Sequence, residues 1–296
     1  MESLMRFYIV DVFGETRYTG NQLAVFRNAR PLNGARMQAI AKEMNFSETT
    51  FILSDRERRG GFDVRIFTPN EELPFAGHPT LGTAFVIMRE VLRKPVETVA
   101  LNLKVGKIPV TAAYLRGKLD LLWMRQKAPT FGAAVNPRKV AAALGLSEEE
   151  IDSRFPVEEV STGLSFVVVP IRSRRAVKRC RVDLEKYGEL MRDTSSTGIF
   201  VFCPEPYDGR NDFNARMFAP GAGVMEDPAT GSANGCFAAY LVKHRYKGKP
   251  DVGVRVEQGY EIGRPSLLYL KAREREGAIE VNVGGRATMV AKGEFV

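Results

Sequence analysis

The chain has 296 residues, 44% of them hydrophobic and 26% charged, with 43 Lys and Arg against 35 Asp and Glu for a net charge of +8. That composition excludes a disordered chain, and the length has room for two domains of roughly 100 to 150 residues each. No run approaches the roughly 18 apolar residues of a membrane span, and MESLMRFYIVDVF lacks the basic and apolar regions of a signal peptide, so a cytoplasmic protein is expected.

Taken in order, Phe7 to Val12 and Leu23 to Phe26 read as strands of an opening hairpin, separated by the turn-forming GETRYTGNQ. Met37, Ile40, Ala41 and Met44 follow helical spacing across 34–44. Glu48 then sits where this helix hands over to a β-branched strand, Thr49 to Leu53. Beside Phe46 and Phe51, a partly desolvated carboxylate suits proton transfer near neutral pH; an ordinary surface Glu at a strand start is the alternative. Asp63 to Phe67 is a strand leading into a loop, after which His78-Pro79 opens a helix running towards Leu92. Strands follow at Val99 to Leu103, Ile108 to Tyr114 and Leu119 to Met124, with antiparallel spacing. A linker is expected near Lys127 to Pro137, which carries two prolines and no strong period.

The second half begins with a short helix from Arg138 to Leu144 and a capping box, Ser147 with Glu150. Ser165 to Ile171 and Gly198 to Phe202 read as strands, and Asp183 to Met191 as a helix between them. Arg216 to Phe218 ends a strand, Pro220 to Gly223 breaks it, and Gly231-Ser232 opens a helix ending near His244. Strands at Val252 to Val256, Leu267 to Lys271, Ile279 to Val283 and Ala287 to Ala291 close the chain.

Two loops share one design. Arg-x-Phe-x-Pro occurs at 65–69 and again at 216–220, each time followed by a glycine-containing turn and an apolar helix; pairing Gly77-His78 with Gly231-Ser232 needs three extra residues in the second loop. A helix start offers free N–H groups and the positive end of the helix dipole to a carboxylate or phosphate, and glycine permits close approach. Asp227 lies just upstream of the second start. The expected fold is therefore α+β: two pseudo-symmetric halves, residues 1–126 joined by the strand near 284–296, and residues 127–283, each a mainly antiparallel curled sheet around one central helix.

Neither a Walker loop, a dinucleotide fingerprint, a zinc signature nor a Gly-x-Ser-x-Gly elbow occurs. Cofactor-free acid/base chemistry is the expectation. Cys180, Cys203 and Cys236 lack metal-type spacing. The basic run at 172–181, RSRRAVKRCR, has no interleaved aromatic residues and reads as a solvated face rather than a nucleic-acid site.

VDVFGETRYTGNQLAVF, NFSETTFIL, FTPNEELPFAGHPTLGTA, EDPATGSANG and VEQGYEIGRPS resemble the PhzF-like isomerase family of phenazine biosynthesis, which shares the diaminopimelate-epimerase fold. The resemblance implies two similar domains with the active site between them, a homodimer, no cofactor, and a small-molecule carboxylate substrate such as trans-2,3-dihydro-3-hydroxyanthranilate. It also implies Glu48 as the proton-transferring group, His78 and Asp227 completing the polar set, and Gly77, Gly231 and Ser232 holding the substrate carboxylate. The epimerases of that fold use two thiols where this chain has Ala76 and Thr230. Cys236, about one turn further into the helix, is assigned to the core. An amino-acid epimerase and a non-catalytic small-acid-binding protein are the rival readings.

Overall fold

In the computed structural model, which describes residues 5–295, one pattern of strand pairing is used twice. The chain divides into two units, one running to Met124 and taking in the stretch from Gly284 onward, the other spanning Arg125–Val283.

The first unit contains β1 (Met5–Val12), β2 (Asn21–Arg27), α1 (Gly34–Met44), β3 (Glu48–Ile52), β4 (Phe62–Phe67), β5 (Glu72–Leu73) and α2 (Gly77–Val86), followed by β6 (Thr98–Leu103), β7 (Gly106–Leu115) and β8 (Lys118–Arg125). β1 and β2 are antiparallel, β2 and β3 parallel, β3 and β4 antiparallel, β4 and β5 antiparallel, and β4 and β6 parallel. Strand alternation gives this sheet two buried faces. Ala24, Phe26, Phe51 and Phe67 pack under Met37, Ile40 and Ala41 of α1, with Phe26 and Phe51 stacked at 5.2 Å. Toward the other face lies α2, whose residues from His78 to Val86 are all buried. A side-chain carbon on Gly82 would lie 2.6 Å from Leu23 Cδ2 and 2.7 Å from Val12 Cγ2, so glycine is what lets α2 approach β1 and β2 this closely. After Val86 the helix widens into one π-helical stretch, Ile87–Leu92, ended by Arg93 in the left-handed conformation.

The second unit contains β9 (Thr130–Ala134), α3 (Pro137–Leu144), β10 (Glu158–Ser161), β11 (Ser165–Pro170), α4 (Arg174–Arg179), α5 (Leu184–Arg192), β12 (Gly198–Cys203), β13 (Phe213–Ala219), β14 (Val224–Asp227) and α6 (Gly231–Lys243), then β15 (Asp251–Gln258), β16 (Ser266–Arg275) and β17 (Ala278–Gly285). The pairings repeat in the same order: β10 with β11 antiparallel, β11 with β12 parallel, β12 with β13 and β13 with β14 antiparallel, β13 with β15 parallel. Around α6, Phe237 meets Phe202 at 4.3 Å, Phe213 at 5.0 Å and Phe200 at 5.5 Å. On the outer face α3, α4 and α5 cover Val167, Val169, Ile199 and Val201. The last strand, β18 (Ala287–Phe295), returns to the first unit and pairs antiparallel with β1.

One expectation needs correcting. The stretch read as a linker contains β9, which pairs with β10. Its residues are exposed or half-buried, so no apolar alternation marks it. The basic run at 172–181 presents Arg172, Arg175, Lys178 and Arg179 outward, while α4 buries Ala176 and Val177 beneath them. Among the described residues no helix is long and apolar enough to cross a membrane.

Candidate active site

Each central helix begins without a side-chain cap. Ala76 and Thr230 stand at the N-cap positions of α2 and α6 and donate or accept no capping hydrogen bond, whereas Asn33, Asn136, Ser173 and Asp183 cap α1, α3, α4 and α5. The residue four places on instead ties down the cap carbonyl: Thr80 Oγ1 donates to Ala76 O at 2.7 Å, and Asn234 Nδ2 to Thr230 O at 3.0 Å. Both contacts use the cap carbonyl and neither uses a first-turn N–H group, the kind of donor that attracts an anion.

In the first unit this start carries an acid/base pair. His78 is 6% exposed, and its Nε2 lies 3.4 Å from Glu48 Oε2. The parallel pairing of Leu23 with Glu48 fixes the head of β3, and the ring of His78 hydrogen-bonds the backbone of Gln22 one residue earlier on β2. Burial strips solvent from the imidazolium and pushes the pKa of His78 down to about 3, the Gln22 bond opposing this only in part. The ring is neutral at neutral pH. Since Nε2 has no hydrogen-bond partner, the Gln22 bond falls to Nδ1, which leaves Nε2 an acceptor 3.4 Å from Glu48 Oε2.

In the second unit Asp227 is 8% exposed and accepts a 2.5 Å hydrogen bond from Thr230 Oγ1. Gln258, on β15, organises the same turn. Its Nε2 donates to Asp227 O at 2.8 Å and Thr230 Oγ1 at 3.1 Å, and its Oε1 accepts from Thr230 N at 3.2 Å and Asn234 Nδ2 at 2.9 Å. Every polar atom of that buried amide is used. Gly259 beside it has φ +78, and a side-chain carbon there would sit 2.6 Å from Pro228 O. Gly231 is buried and Ser232 half-buried at the helix start. Gln258, Thr230 and Asn234 went unassigned in the sequence reading; the signal was present, because Gln258-Gly259 lies inside VEQGYEIGRPS, but local sequence does not show which loop a buried glutamine will meet.

Cys180, Cys203 and Cys236 are fully buried, and burial pushes each thiol up to about 12. Iodoacetamide at pH 8 should therefore label none of them in the folded protein over an hour, and all three after unfolding in guanidinium, as read by intact mass. Rapid labelling of the folded chain would restore a thiol to consideration. Among the described residues no group of three or more His, Cys, Asp or Glu side chains is placed to hold a metal ion.

Two α+β units built on one pairing scheme, each around a helix with an uncapped start, define a chain of the epimerase-like fold class. A hydroxyproline epimerase from Agrobacterium vitis shares that fold, with TM-score 0.67 over 99% of this chain and 91% of its own at 12% identity. The sequence pattern of the phenazine biosynthesis-like protein family matches residues 10–293, and the chain belongs to that family. It is 37% identical to the trans-2,3-dihydro-3-hydroxyanthranilate isomerase of Pseudomonas aeruginosa, over 95% of this chain and 96% of that one. A Bacillus anthracis phenazine biosynthesis protein of the PhzF family superposes with TM-score 0.91 at 27% identity, covering 99% of both chains. Relatives over this whole length carry isomerase names, and this chain is a PhzF-like isomerase.

Proposed function

We propose that the chain moves a proton within a small cyclic or unsaturated amino or hydroxy acid, with Glu48 as the general acid/base and no cofactor. The observation that carries this reading is the pairing of Glu48 with a buried, neutral His78 at an uncapped helix start. Glu48 removes a C–H proton acidified by the substrate's unsaturation and returns it to another carbon of the same π-system. The electron pair shifts along that system, so the reaction is redox-neutral and needs no second substrate. Nε2 of His78, an acceptor at neutral pH, receives a hydrogen bond from the substrate's amino or hydroxyl group and orients the ring for Glu48. First-turn N–H groups at Gly77 take the substrate carboxylate. For Asp227, Gly231 and Ser232 we propose a substrate-binding role, Asp227 accepting from a polar N–H or O–H while Thr230 and Gln258 hold its position.

The similarity to trans-2,3-dihydro-3-hydroxyanthranilate isomerase makes that compound the first substrate to try. Incubated with it in deuterated buffer, the protein is expected to form the isomer, with deuterium entering the carbon that receives the proton as solvent exchange at Glu48 allows. NMR reads both. Binding without turnover would move the proposal to another small acid; loss of optical activity from a single enantiomer, without migration of the double bond, would replace isomerisation by epimerisation. A homodimer in the cytoplasm belongs to the same proposal, and sedimentation equilibrium at twice the monomer mass is its measure.

A further inference from the structure

The repeated Arg-x-Phe-x-Pro motif corresponds to a repeated piece of structure. Arg65 donates from Nε to Glu72 Oε1 at 2.8 Å and from Nη2 to Oε2 at 2.7 Å; Arg216 donates from Nε to Glu226 Oε1 at 2.9 Å and from Nη2 to Oε2 at 2.7 Å. The same two nitrogens meet the same two oxygens. Each guanidinium also lies over the phenylalanine two residues on, 5.0 Å from the Phe67 ring and 4.7 Å from that of Phe218. In both cases the arginine lies on one strand of a hairpin, β4 or β13, and the glutamate lies on the short returning strand, β5 or β14.

Chain lengths on the two sides of each pair behave differently. From arginine to glutamate the count is 72 − 65 = 7 in the first unit and 226 − 216 = 10 in the second, so the three extra residues lie in the hairpin turn. From glutamate to the first helical glycine it is 77 − 72 = 5 and 231 − 226 = 5. The turn varies and the arm does not.

We propose that Arg65–Glu72 and Arg216–Glu226 are positioning residues, each pair fixing the point from which a five-residue arm delivers the start of α2 or α6. Fixing one end of the arm sets where Gly77 and His78, or Gly231 and Ser232, present their N–H groups. Asp227, one residue beyond Glu226, is set by the same anchor: strand alternation turns Glu226 toward Arg216 and Asp227 toward Thr230. The anchors are themselves tied to the outer layer. Arg216 Nη1 donates to Val177 O at 2.9 Å and Cys180 O at 3.0 Å, at the end of α4, and Arg65 lies against Gly34 at the start of α1. The bidentate guanidinium is what such an anchor requires, since an ammonium would keep the charge and lose the two-point geometry.

The test compares four variants of the full chain: Arg216→Lys, Glu226→Gln, one glycine inserted after Ala222 in the turn, and one inserted between Pro228 and Ala229 in the arm. Amide hydrogen exchange is followed by mass spectrometry beside turnover. Arg216→Lys and Glu226→Gln are expected to speed exchange over residues 229–234 about tenfold with β16 unchanged, and to lower kcat by roughly ten- to a hundredfold with a smaller change in KM. The arm insertion should match or exceed them, while the turn insertion leaves both readouts at wild-type values. Exchange rising equally through the whole unit, or a turn insertion as damaging as the arm insertion, would reduce the pairs to ordinary ion pairs. The kcat readout rests on the proposed function and the exchange readout does not: a wild type that turns nothing over defeats that reading, and exchange over 229–234 still decides this one.

Discussion

Replacement of Glu48 by Gln is expected to lower turnover of the isomerised substrate by at least about 10² to 10⁴-fold, the contribution of one well-placed acid/base group. Gln matches Glu in shape, so the packing at the head of β3 is kept while the group that takes a proton is lost. His78 cannot substitute. Its pKa of about 3 makes the ring a very weak base at neutral pH, and it is held by the Gln22 backbone on one side with Glu48 3.4 Å away on the other. Substrate affinity should change little, since the carboxylate is assigned to backbone N–H groups at the helix start. A Glu48→Gln protein retaining more than about a tenth of wild-type kcat would assign the proton to another group.

The second large effect is on stability. His78 has a folded pKa of about 3 against 6.5 for an ordinary histidine, so between pH 6.5 and 3 the unfolded chain carries a proton at this side chain that the folded chain excludes. The sign follows: stability from the buried neutral ring is complete above pH 6.5 and falls as pH drops, at about 1.4 kcal/mol per pH unit, until the folded ring itself titrates near pH 3. Carboxylates in ion pairs lose stability in the same direction over part of that range. Glu72, held at about 2 chiefly by its hydrogen bonds from Arg65, is one. The histidine is therefore isolated as the difference between wild type and His78→Gln in urea unfolding at pH 7, 6, 5 and 4. Above pH 6.5 that difference is constant; below it the wild type should lose stability faster by the stated slope. Parallel curves would mean that the ring is solvated and titrates normally.

Much of the architecture was legible because it is encoded locally. The period of Met37, Ile40 and Ala41 marks α1, and the apolar run after Gly231 marks α6. What escaped notice was short or unpatterned: β5 has two residues, and β9 is exposed or half-buried along its whole length, so neither carries an alternation to read. The repeat of Arg-x-Phe-x-Pro could be seen, but its purpose could not. That both arginines meet a glutamate by the same atoms, and that the three-residue mismatch lies wholly in the turn, are facts of pairing between residues seven and ten apart in the chain.

By itself, then, the sequence determined the α+β class, the duplicated design, the family and the identities of Glu48, His78 and Asp227 as candidates, since these rest on residue type and near-neighbour spacing. Tertiary structure alone decided that His78 is buried and neutral with Nε2 3.4 Å from Glu48, and that Gln258 holds the Asp227 turn. A pKa depends on solvent exclusion, and a hydrogen bond on approach through space. Both are set by how β2, β3 and α2, or β14, β15 and α6, come together, which no stretch of chain specifies alone.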